Sequence, residues 1–135
     1  MIKKIDRYNY VQGTRFMDNG SRNYDVAGQR LPSVTTILGK TKDDTFLKDW
    51  IKKKGEKEAE RIKIASATRG TSMHKYLENY VLGKGYEDLT PLGQETKRMA
   101  QKVIEVGLAP VSGFFGSEVT LYYPGLYAGS TDLVG

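Results

Sequence analysis

The stretch Ser117-Glu118-Val119-Thr120-Leu121-Tyr122-Tyr123-Pro124-Gly125-Leu126-Tyr127-Ala128-Gly129-Ser130-Thr131-Asp132-Leu133-Val134 decides how the chain is read. Glu118–Tyr123 and Tyr127–Val134 are rich in β-branched and aromatic residues, and Pro124-Gly125 is a turn signal between them. Residues 114–135 therefore predict a β-hairpin. If Tyr123 pairs with Tyr127 across a three-residue loop, Glu118 falls directly opposite Asp132. One face then carries Glu118, Thr120, Tyr122, Ala128, Ser130 and Asp132, and is mostly polar. The other carries Val119, Leu121, Tyr123, Tyr127, Gly129 and Leu133, and is mostly apolar. A one-residue slip would mix the two, so burial favours this register. Like charges directly opposite one another destabilise a sheet. A cation such as Mg²⁺ or Mn²⁺, which takes carboxylate oxygens and retains several waters, makes the pair tolerable. The plainer reading is two solvated acids on an edge hairpin.

Upstream, the pattern changes twice. Residues 33–107 read as helical. Ser33, after Pro32, suits the N-cap of a short helix over Val34–Leu38, with Gly39 as its end. Asp43 or Asp44 caps the next helix, in which Phe46, Leu47, Trp50 and Ile51 recur at helical spacing. A long helical stretch runs from about Lys57 to Leu82, lined by Ala59, Ile62, Ala65 and Ala67 and later by His74, Leu77, Glu78 and Val81. Arg69-Gly70-Thr71 is a candidate break within it, and Gly83-Lys84-Gly85 terminates it. Pro91 opens a last helix to about Gly107, with Met99, Val103 and Ile104 inward. Before residue 33, Asn19-Gly20 and Ala27-Gly28 mark the turns of short hairpins, the second joining Ser21–Val26 to Gln29–Leu31. The order is β, then helices, then β, an α+β chain. Its final strand reaches the last residues with no closing element, which predicts a sheet left incomplete.

The bulk properties narrow the partners. At 135 residues there is room for one domain with a modest core. Without cysteine, neither disulfides nor thiolate metal sites are available, so a bound metal must use oxygen or imidazole ligands. No apolar stretch is long enough to span a bilayer, and no apolar segment follows the basic start, so an intracellular protein without a membrane partner is expected. The net charge of +5 favours an anionic partner, with nucleic acid the commonest.

Several side chains admit two readings each. His74, the single histidine, lies one helical turn before Glu78. It is either a buried histidine donating to that acid or a metal or phosphate ligand. Arg69 and Gly70 would hold a phosphate at a helix N-terminus, or Arg69 simply pairs with a surface acid. Lys52 and Lys53, in a basic run with Lys54 and Lys57, form a solvated face or a track for a phosphate backbone. Tyr8 and Tyr10, with Phe16 and Tyr24, either stack on unpaired bases or pack a small sheet.

Three pieces recur in order: Leu31-Pro32-Ser33-Val34-Thr35-Thr36-Ile37-Leu38, then Arg69-Gly70-Thr71-Ser72-Met73-His74, then Ser117-Glu118 with Tyr127-Ala128-Gly129-Ser130-Thr131-Asp132-Leu133-Val134. Together they resemble the RecB-type branch of the PD-(D/E)XK nucleases, and within it the mitochondrial genome maintenance exonucleases and their phage-encoded relatives. The resemblance implies a restriction-endonuclease-like core, of which this chain holds the N-terminal hairpins (1–32), a helical region (33–107) and the first core hairpin (114–135). It implies Asp132 as the first metal-binding aspartate, Glu118 as the acid of the preceding strand, His74 as the helix histidine near the metal, and Arg69 and Gly70 at the edge of the site. It further implies Mg²⁺ or Mn²⁺ as cofactor, DNA (single-stranded) as substrate, exonucleolytic phosphodiester hydrolysis, and the host cytoplasm as location if the gene is phage-borne. The family's next strand carries an acid-x-Lys motif, which is missing after Asp132, so the chain is expected to be the inactive N-terminal portion of a longer enzyme. The rivals are a non-catalytic basic DNA-binding module and a recombination-type nuclease or endonuclease of the same superfamily.

Overall fold

The computed structural model describes residues 2–135. In chain order the elements are β1 (Lys3–Lys4), β2 (Gly13–Asp18), β3 (Ser21–Val26), β4 (Gln29–Pro32), α1 (Val34–Thr41), α2 (Thr45–Lys54), α3 (Glu56–Val81), α4 (Pro91–Lys102), β5 (Gly113–Phe114), β6 (Gly116–Tyr123) and β7 (Tyr127–Val134). The chain is mixed α+β, as its pattern predicts. It divides into two compact units. The β unit comprises Lys3–Lys42 and Gly113–Gly135, and the helical unit Asp43–Ser112 with Ile2.

In the β unit, β2, β3 and β4 form an antiparallel meander, β6 and β7 a hairpin, and β1 and β5 a short parallel pair. Both meander turns have two central residues with positive φ: Asn19 and Gly20, then Ala27 and Gly28. This is the geometry that closes a two-residue hairpin without splaying its strands. The meander's inner face presents Tyr24, Val26 and Leu31, each at most 4% exposed, and they pack on Ala128 of β7, which is fully buried. Tyr122 of β6 packs against this cluster, and Tyr24 Oη shares a 3.1 Å hydrogen bond with Ser130 Oγ. Gly13 explains how closely β2 approaches the hairpin: a Cβ there would lie 2.7 Å from Thr120 Cγ2.

The hairpin therefore buries part of each face: Ala128 of the mostly polar face is fully buried, and Val119 of the apolar face is 6% exposed. Tyr123 and Tyr127 pair as expected, and the register continues to Gly116 opposite Val134. Yet Leu121, Tyr123 and Tyr127 of the apolar face are 40–56% exposed. On the inner face Ala128 and Tyr122 pack on the meander's core cluster, and Thr120 lies close to Gly13. At the end of the meander, Ser33 caps α1, its Oγ accepting from Thr35 N at 3.2 Å. The helix passes through Gly39 to Thr41, one turn beyond the expected stop.

The helical unit is built on α3, whose 26 residues span about 39 Å at 1.5 Å per residue. α3 is continuous through Arg69-Gly70-Thr71. The Thr71 hydroxyl donates to Ala67 O inside the helix instead of capping a new one. Helix α4 begins at Pro91 with Thr90 as N-cap, its Oγ1 accepting from Gly93 N. Its inward face is Gly93, Thr96 and Ala100, where small residues permit close packing. Met99, expected inward, is 38% exposed. Ser72 of α3 and Thr96 of α4 share a 2.8 Å hydroxyl hydrogen bond. A π-helical turn, Val103–Gly107, completes the predicted run to Gly107. Gly83, at φ 70°, follows the end of α3 as the termination signal requires. No helix among the described residues is long and apolar enough to cross a membrane.

Candidate metal and nucleic-acid site

Glu118 is the most unusual residue of the β6–β7 hairpin. Its φ of 52° lies in the left-handed region, which costs a non-glycine residue about 1–2 kcal/mol. The consequence is visible in the ladder. Ser117 pairs with Leu133 and Val119 with Thr131, but the intervening pairing of Glu118 with Asp132 is skipped. Asp132 remains the residue opposite in register, so the sequence locates both acids correctly, while the two no longer form a regular cross-strand pair. The departure from strand geometry occurs at the one position where ideal pairing would set two carboxylates side by side.

Both acids line a groove of about 580 Å³ within the β unit. Its other walls include Arg15 of β2, Arg22 of β3 and Tyr24, together with Tyr123 and Tyr127 of the hairpin. The two arginines were not singled out from the sequence, although the signal was present. Arg22, Tyr24 and Val26 alternate along β3, and Arg15 is the cross-strand partner of Tyr24, so all four side chains share one face of the meander. The groove thus combines two guanidinium groups, two carboxylates and hydroxyls.

The remaining candidates fall in different settings. His74 lies on α3 and is exposed, so the reading of a buried histidine is wrong. The nearby Glu78 instead forms an ion pair with Lys75, at 3.5 Å. Arg69 and Gly70 sit in mid-helix, where every backbone N–H is already committed, so no helix N-terminus is available there to hold a phosphate. Arg69 Nη1 is 3.7 Å from Glu95 Oε1, the surface ion pair that was its plainer reading. A Cβ on Gly70 would meet nothing within 4 Å. Lys52 and Lys53 occupy the exposed last turn of α2, where they complement the negative end of the helix dipole.

Tyr8 and Tyr10 belong to an aromatic cluster in the β unit. Tyr8 meets Phe115 edge-on at 5.3 Å and Tyr10 at 6.2 Å, with the Arg7 guanidinium 5.4 Å from the Tyr8 ring centre. Phe16 is covered by Arg30 at 4.4 Å, and Tyr24 is buried in the core. For Phe16 and Tyr24, packing accounts for the ring.

As ligand types, His74, Glu118 and Asp132 offer an imidazole and two carboxylates, of which the carboxylates suit Mg²⁺ or Mn²⁺, and all three are exposed. The chain matches no family model, no curated protein and no solved structure.

Proposed function

We propose that this chain carries part of the active centre of a metal-dependent DNA nuclease, an exonuclease acting on single-stranded DNA with Mg²⁺ or Mn²⁺. On this reading the β6–β7 hairpin is the first hairpin of a restriction-endonuclease-like core. Asp132 and Glu118 are its carboxylate ligands, and His74 supplies the third. The observation that carries the reading is Glu118 itself. A glutamate held at φ 52° opposite an aspartate, on the wall of a groove, is backbone strain beside a second carboxylate. Strain of this kind collects at functional sites. When bound, the ion would polarise a phosphate oxygen and lower the pKa of an attacking water. The protein's part is to present oxygen ligands from rigid strands and to hold the neighbouring phosphates with Arg15 and Arg22.

The test is metal-linked stability. Mn²⁺ at about a hundred times its Kd is expected to stabilise the chain by about 2.7 kcal/mol, seen as a rise in Tm. Asp132→Ala should remove the rise. An unchanged Tm at millimolar Mn²⁺, with DNA affinity that responds to salt but not to metal, would overturn the nuclease reading in favour of a binding module.

A further inference from the structure

At its turn end the same hairpin presents two phenol rings to solvent. Tyr123 and Tyr127 are cross-strand partners, with ring centres 5.8 Å apart and planes inclined by 29°. They are 56% and 40% exposed. Such a pair stabilises a turn. That role does not account for both rings lining the groove that holds Arg15 and Arg22. Two exposed aromatic rings beside two guanidinium forks are the components of a strand-binding surface: rings stack on bases, and planar forks grip phosphate oxygens.

We propose that Tyr123, Tyr127, Arg15 and Arg22 form a subsite for single-stranded DNA, with bases on the tyrosine pair and backbone phosphates at the arginines. A duplex would be excluded, because its bases are already stacked on one another and cannot offer a face to the rings. The chain's net charge of +5 supports the approach of a polyanion. The subsite is distinct from the one expected from the sequence at Tyr8 and Tyr10, which lie against Phe115 and each other. It rests on the nuclease reading for the choice of DNA as the ligand, but not on any metal.

The experiment is fluorescence anisotropy of a labelled oligothymidylate of about 12 nucleotides, and of a duplex of equal length, with the full 135-residue chain in EDTA at several salt concentrations. The single strand should bind more tightly than the duplex. Tyr123→Ala with Tyr127→Ala should weaken binding about tenfold or more, as loss of base stacking does. Tyr123→Phe with Tyr127→Phe, which keeps the rings, should bind like the parent. Arg15→Ala with Arg22→Ala should lower the slope of log K against log salt by roughly 1.4, about 0.7 for each phosphate that an arginine no longer neutralises. Unchanged binding in the double alanine variant at the tyrosines, or an equal loss in the phenylalanine variant, would overturn the subsite. Because metal is absent throughout, a chain that takes Mn²⁺ yet fails here loses only the subsite. A chain that passes here without a Mn²⁺ response loses only the nuclease reading.

Discussion

The β6–β7 hairpin and the middle of α3 are the two regions where sequence motifs concentrate chemistry, and their backbones behave in opposite ways. In the hairpin, Glu118 leaves strand geometry and the ladder skips a pairing, while the flanking residues hold a regular register. In α3, the Arg69-Gly70-Thr71 stretch is regular helix, with hydroxyls of Thr68 and Thr71 bonded back to carbonyls four residues earlier. A phosphate held at Arg69-Gly70 would need free backbone N–H groups, and hence a break in the helix. On that criterion the backbone of the hairpin departs from its element and the Arg69-Gly70-Thr71 stretch does not.

The largest difference should appear in how each region tolerates a charge. Ala128 is fully buried on the hairpin's inner face, against Tyr24, Val26 and Leu31. Ala128→Asp would bury a carboxylate with no partner, so unfolding in urea should show a loss of about 3–5 kcal/mol. Ala67 lies exposed on α3, so Ala67→Asp should cost only about 0.5 kcal/mol, the difference in helix propensity. Similar losses at both positions would mean that the hairpin's anchored face is misassigned.

The second contrast tests the strain at Glu118. Glu118→Asn and Glu118→Val both remove the carboxylate and whatever it contacts, so their difference isolates the backbone. Asn tolerates the left-handed region and a β-branched residue does not. The Val variant should be less stable than the Asn variant by about 1–2 kcal/mol. At Asp132, in extended conformation on β7, the order should vanish or reverse, because Val favours a strand. Equal stabilities for the two Glu118 variants would show that the backbone there is not strained.

These contrasts also show what the sequence could disclose. The three-residue loop and the register of the hairpin were legible, because Pro124-Gly125 and the tyrosines on either side admit few alternatives. So were the two meander turns, the Ser33 cap, and the ends of α3 and α4, each set by local chemistry of a few residues. The buried face of the hairpin was not, since it depends on what the meander offers: the close approach at Gly13 and a pocket shaped for Ala128. Glycine misled twice in helices. Gly39 and Gly70 both lie inside helices that continue past them, because an unfavourable propensity of about 1 kcal/mol is small beside the bonds of the turns around it. The left-handed Glu118 has no local sequence signal at all.

Gly70 gives the smallest test and the most direct one for the helical region. It sits in mid-helix, its φ is not positive, and a Cβ there would have open space. Nothing in the fold requires glycine, so Gly70→Ala should stabilise the chain by about 0.5–1 kcal/mol, through higher helix propensity and a less flexible unfolded chain. Thermal unfolding would show this as a Tm a few degrees higher. The gain requires α3 to be continuous in the working protein. If α3 instead opens at Arg69-Gly70, so that a second helix starts there with its N–H groups free, alanine would oppose that state. Gly70→Ala would then leave Tm unchanged or lower it, and would weaken DNA binding without touching the hairpin. That outcome would restore the phosphate-holding role read from the motif and erase the contrast between the two regions. A higher Tm with unaltered DNA affinity would show that no phosphate site opens at Arg69-Gly70.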